Sequence, residues 1–143
     1  SESLGKKGKG LMPVSSTAPK DHHSMLQLYL DGPKDKIFYI FSSQNKNSIK
    51  IKKNEFGKNY QFLKSSSLQD IIEAQKNAVV KVLKKNKIPF KKIKIKGYTE
   101  KNISFIFSYF MLETIILGKL INLNPFDQPA VEQVKVITKR ELN

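Results

Sequence analysis

The sequence predicts an α/β domain in which helices flank a mostly parallel sheet, and three observations carry that reading. Lys36–Ser42 (KIFYIFS) is β-branched and aromatic with almost no charge, as a strand enclosed by helices is. Leu68, Ile71, Ile72, Val79, Val82 and Leu83 recur at helical spacing behind a capping pair, Ser67 and Asp70. Phe90–Tyr98 then alternates, with Ile93 and Ile95 set between lysines, which suits a second strand with one solvated face. Helix, strand, helix, strand, helix, helix is the order of a layered α/β fold, and no internal repeat competes with it.

Taken in order, residues 5–20 hold Gly5, Gly8, Gly10, Pro13, Pro19 and a Ser15-Ser16-Thr17 cluster, the composition of an irregular loop. Ser1–Gly10 has no apolar centre of the kind a signal peptide carries. Asp21 is a candidate cap for a helix with the body Met25, Leu26, Leu28, Tyr29 and Leu30, ending at Asp31-Gly32-Pro33. After the first strand, Gln44–Gly57 reads as a polar connector with a short edge strand at Ser48–Lys52. The second helix runs to about Asn86. Ile103–Leu123 is the most apolar stretch and has the length of a membrane span, but Glu113 falls in its middle, so it is expected as a buried helix of a soluble domain. A last helix begins near Asn124-Pro125 or Asp127 and continues to about Leu142.

Composition bounds the chemistry. With 143 residues the chain can bury one core, and with no cysteine it has neither disulfides, zinc thiolates nor a thiol nucleophile. Lys and Arg number 26 against 12 acidic residues, a formal charge of +14, which first suggests a nucleic-acid or anionic membrane partner. Arg140 is the one arginine among those 26, whereas base reading and phosphate clamping lean on the guanidinium fork. The Lys84–Lys96 tract has only Phe90 and Tyr98 near it as stacking rings. The expectation is therefore no nucleic-acid partner and no membrane partner. His22 and His23 are adjacent and diverge by about 100° on a helix, so they do not form a metal pair, and no metal site is expected. Gly5-Lys6-Lys7-Gly8-Lys9-Gly10 lacks the spacing of a phosphate loop and reads as a flexible basic loop. Gln128 falls in the first turn of the last helix, where free N–H groups favour an anion, and Lys135 follows two turns later on the same face.

Three strings agree with one family. Asn124-Pro125-Phe126-Asp127-Gln128-Pro129-Ala130-Val131-Glu132, followed by Lys135, resembles the C-terminal signature of the glucose-6-phosphate isomerase family. Glu2-Ser3-Leu4-Gly5-Lys6 resembles its catalytic-glutamate motif, and Asp21-His22-His23-Ser24-Met25-Leu26-Gln27-Leu28 its histidine motif. The resemblance implies a partial three-layer α-β-α sandwich of the sugar-isomerase type. It implies that residues 1–143 are the C-terminal sugar-isomerase domain of a longer two-domain enzyme, and that 124–142 carry its active-site helix.

The implied activity is the reversible aldose–ketose isomerisation of glucose 6-phosphate and fructose 6-phosphate through a cis-enediolate, in glycolysis and gluconeogenesis. By the same resemblance Glu2 is the base moving a proton between C2 and C1, His23 opens the pyranose ring, Lys135 assists ring opening, and Gln128 contacts the phosphate end. No cofactor is implied, the location is cytoplasmic, and the full enzyme is a homodimer whose histidine comes from the other subunit. Ala130 stands where the family usually has glycine, and His22 where it commonly has Gln or Leu. The family's phosphate loops and its enediolate-steadying arginine lie upstream of the matched strings, so the chain alone is expected to be inactive. Another class of function is a stand-alone sugar-phosphate-binding regulatory module without turnover.

Overall fold

A computed structural model describes residues 1–43, 48–51 and 58–142. It is α/β: helices α1 (His22–Asp31), α2 (Leu68–Lys85), α3 (Glu100–Leu120) and α4 (Pro129–Glu141) accompany strands β1 (Phe38–Ser43) and β2 (Phe90–Ile95). The chain divides into two compact units, one of Ser1–Ser15 with Thr99–Asn143, the other of Ser16–Tyr98.

In the unit of residues 16–98, β1 and β2 pair in parallel with Phe38 opposite Phe90 and Ser43 opposite Ile95. Parallel neighbours need a crossover, and α2 supplies it. Its start is the expected capping box: Ser67 Oγ accepts from the Asp70 N–H at 3.1 Å, and Asp70 Oδ2 accepts from the Ser67 N–H at 2.8 Å. The Ser67 N–H and the Ser67 hydroxyl, which donates to Asp70 Oδ2 at 2.7 Å, hold the Asp70 carboxyl below its ordinary range. Its end turns back through Lys87 at φ 56°, where the Ile88 N–H donates to the Leu83 carbonyl at 3.0 Å. Leu83, Ile88 and Val80 form the buried core of this unit. Tyr29 of α1 meets Phe38 of β1 edge to face at 5.1 Å, and the Tyr98 hydroxyl donates to Ser43 Oγ at 2.8 Å.

Several expectations change here. β1 is half-buried rather than enclosed on both faces, with Phe41 49% exposed, because a sheet of two described strands covers little of either face. β2 keeps its expected solvated side through Lys92 and Lys94. Asp21 does not cap α1 with its side chain; its carboxylate instead accepts from the Thr17 N–H at 2.6 Å and closes the preceding turn. Of the expected edge strand, Ser48–Ile51 contributes a single antiparallel bridge, Lys50 to Ser67, and Lys52 lies outside the described residues, as do residues 44–47 and 53–57 of the connector. A 3-10 helix over Lys58–Leu63 has no counterpart in the sequence reading.

In the other unit α3 begins at a Thr99 cap whose hydroxyl accepts from the Asn102 N–H at 3.3 Å. It ends in a reversal through Asn122 at φ 56°, with the Leu123 N–H on the Gly118 carbonyl at 2.8 Å and the Asn122 N–H on the Lys119 carbonyl at 3.2 Å. That is a Schellman closure with asparagine in the left-handed position. The helix is 21 residues long and apolar enough to cross a membrane by length and composition, yet Gly118 is its one buried residue among those described. The expected burial is thus not met within this chain: Phe105, Leu112, Ile116 and Leu120 share an exposed flank at helical spacing. α4 follows with Gln128 at its cap position and Pro129 opening the first turn.

Candidate active site

The N-terminal segment is built as a turn that leans on the loop between α3 and α4. The Leu4 and Gly5 N–H groups both donate to the Ser1 carbonyl, at 3.1 and 2.7 Å, so Glu2 and Ser3 cross the top of a tight turn. Lys6 and Lys9 then exchange backbone hydrogen bonds at 3.1 and 2.9 Å around Lys7 and Gly8, both at positive φ. Two successive left-handed residues are the geometry of a type I′ turn, which a glycine accommodates without strain. The run expected as a flexible basic loop is therefore a closed reversal.

Three side chains fasten this turn. Leu4 is buried, and its Cδ2 lies 3.3 Å from where a Cβ on Gly118 would stand, so the bare helix backbone at Gly118 is the floor that receives it. Lys6 Nζ donates to the Asn124 carbonyl and reaches the Asp127 carboxylate at 2.5 Å, with its side chain only 11% exposed. Lys9 Nζ donates to the Ile121 carbonyl at 3.2 Å. The hydrogen bond and charge of Lys6 hold the Asp127 carboxyl below the usual aspartate range, so Asp127 is a carboxylate at neutral pH.

This frame carries Glu2 to Gln128. The Gln128 side-chain amide Nε2 donates to Glu2 Oε1 at 2.7 Å, joining residues 126 positions apart. A neutral amide that donates to a carboxylate orients it while leaving its second oxygen open. Gln128 is the cap residue of α4 rather than a member of its first turn, and its carbonyl accepts from the Val131 and Glu132 N–H groups at 3.1 and 3.2 Å. Lys135 stands on α4 beside Val134, Thr138 and Lys139, and its ammonium pairs with Glu132 of the same helix at 2.6 Å. His23 lies on α1, in the unit of residues 16–98, and is exposed, with His22 beside it half-buried.

Of the four residues singled out in the sequence, Glu2 and Gln128 are thus in direct contact, Lys135 is engaged by Glu132, and His23 belongs to the other unit. Leu4, Lys6 and Asp127 fall inside the family strings without an assigned role, and Gly118 lies in none of them. A signal for Gly118 existed: an isolated glycine inside an apolar helix usually has a packing reason.

No protein-family model matches the chain. It is 36% identical over 95% of its length to a probable glucose-6-phosphate isomerase of Methanococcus maripaludis, covering 30% of that protein. It is 35% identical over 97% of its length to a glucose-6-phosphate isomerase of Methanocaldococcus jannaschii, covering 34% of that protein. Its fold superposes with a TM-score of 0.83 on the crystal structure of a hypothetical protein from Thermus thermophilus, at 27% identity, over 99% of this chain and 35% of the other. The chain spans about a third of the length of the curated relatives it matches. The strings around Glu2, His23 and Gln128 and the match to these relatives agree: the curated relatives that match nearly the whole of this chain are glucose-6-phosphate isomerases, the family its strings resemble.

Proposed function

We propose that the chain is the C-terminal sugar-isomerase domain of a glucose-6-phosphate isomerase and contributes part of its active site. The observation that carries this reading is the Gln128–Glu2 hydrogen bond, which joins the first and last of the three family strings. In the proposed reaction the Glu2 carboxylate takes the proton from C2 of the open-chain sugar and returns it to C1, through a cis-enediolate. A carboxylate suits this work because it accepts the proton and, held by a donor on one oxygen, keeps the other aimed. Gln128 fixes that carboxylate and contacts the phosphate end of the substrate. His23 opens the pyranose ring, since an imidazole can exchange a hemiacetal proton near neutral pH. Lys135 assists ring opening with its ammonium, exchanging Glu132 for a sugar oxygen when substrate enters.

The substrate is a sugar phosphate, no cofactor takes part, and the working enzyme is a cytoplasmic homodimer. The 143-residue chain alone turns over no substrate, because it carries about a third of the relatives' length. The test is a coupled assay of glucose 6-phosphate and fructose 6-phosphate interconversion. The isolated chain is expected to show no turnover, and strong turnover refutes its dependence on the remainder. In a polypeptide completed to family length, Glu2→Gln is expected to abolish turnover with substrate binding retained; turnover near that of the unmodified protein rules Glu2 out as the base.

A further inference from the structure

Two rungs run side by side between the same two segments. Glu2 meets Gln128, and four residues later Lys6 meets Asp127, the residue immediately before Gln128. Glu2 is exposed, and a single exposed hydrogen bond to a rotatable amide holds a carboxylate weakly. Lys6 is enclosed, its side chain 11% exposed against 64% for Lys135, and an enclosed ammonium must keep its partners. It has two, one backbone and one side chain: the Asn124 carbonyl and the Asp127 carboxylate. Leu4 is seated separately, over Gly118. The turn therefore has an apolar anchor that fixes where it sits and an ionic one that fixes how it faces α4.

We propose that Lys6 is a positioning residue whose ammonium, clamped on Asp127 and Asn124, sets the Glu2 carboxylate against the Gln128 amide. The importance of that position for catalysis rests on the reading of Glu2 as the base; the clamp itself does not. With Asp127 neutralised or Lys6 removed, the Leu4 seat remains and the Glu2 carboxylate loses its fixed direction.

The test reads geometry by NMR on the 143-residue chain. In the unmodified protein the Gln128 side-chain amide is expected to show a cross-peak to the Glu2 side chain and a shift displaced from that of a free glutamine amide. Lys6→Met is expected to remove both signals while the Leu4 methyl contacts to the Gly118 backbone persist, and Lys6→Arg is expected to restore them. Asp127→Asn, which leaves Lys6 and the packing volume in place, is expected to remove the same two signals. Retention of the Glu2–Gln128 signals in Lys6→Met and Asp127→Asn overturns the proposal. Loss of the Leu4 contacts together with them in both variants also overturns it, since Lys6 then only holds the turn folded. These readouts do not involve turnover, so they stand apart from the Glu2→Gln assay, where a failure of the base reading would show.

Discussion

Leu83 and Ile88 are joined across the end of α2: the Ile88 N–H donates to the Leu83 carbonyl at 3.0 Å, and both side chains are buried, Leu83 to 1% exposure. The reversal that brings them together passes through Lys87 at φ 56°, where a side chain with a Cβ is strained. Replacing Lys87 with glycine is therefore expected to stabilise the chain, by about 0.5–1 kcal/mol once the greater freedom of glycine in the unfolded state is offset. Urea denaturation read at helix ellipticity checks it; a lower midpoint at unchanged slope would contradict the strain argument.

The capping box at the other end of α2 makes an acid-side prediction. Asp70 is held below its ordinary range in the folded chain by the Ser67 N–H and hydroxyl. A carboxyl lowered on folding contributes its stability fully above the unfolded value and loses it as pH falls through the folded one, here on the acid side of the ordinary aspartate range. Ser67→Ala is expected to cost about 1 kcal/mol at pH 7 and to flatten the decline of stability across that acid window. Parallel pH curves for the two proteins would show that Asp70 gains nothing from the cap.

Gly118 is the floor under Leu4. A Cβ there stands 3.1 Å from the Leu123 carbonyl oxygen and 3.3 Å from both Leu4 Cδ2 and Pro125 Cβ. Alanine trades that crowding against better helix propensity and is expected to fall within about 1 kcal/mol of the native protein. Leucine has no room, and its expected cost is about 1–3 kcal/mol with displacement of Leu4. Thermal melts of the two variants, with Leu4 methyl shifts, separate these cases.

Gly10 closes the N-terminal turn at φ 131°, where an added Cβ would come within 2.8 Å of the Gly5 Cα. Gly10→Ala is expected to open the turn at a cost of order 1–3 kcal/mol. Trypsin should then cut at Lys7 and Lys9 on the order of tenfold faster, since cleavage follows the opened population. An unchanged cleavage rate would mean that the turn is held from elsewhere.

What could be read in advance divides along physical lines. α2 and its cap, and the strands, rest on periodicity and local hydrogen bonding, and these appear where the residues place them. The start of α4 sits later than the earliest candidate, because Asn124 and Asp127 serve the loop that Lys6 clamps and Pro129 takes the first helical position. Burial is less legible. The same apolar residues that make Phe41 and Phe105 look internal leave them exposed here, since burial belongs to the neighbour as much as to the residue. In the site, Glu2 and Gln128 were recognisable by resemblance, but Lys6 sits in a Gly-Lys run that reads as solvated surface. Only the fold reveals that a carbonyl and a carboxylate, 118 and 121 residues away, enclose it.

That separation has a consequence for the making of the protein. Glu2 leaves the ribosome 126 residues before Gln128, and at ordinary elongation rates of 5–20 residues per second the interval is about 6–25 s. Through that time the glutamate's turn has no seat, because Gly118, Asn124 and Asp127 have yet to be synthesised. Residues 16–98 have both strands and the crossover helix in hand much earlier and can assemble first. The proposed catalytic carboxylate is thus translated ahead of every group that holds it, and it is among the last to find its place.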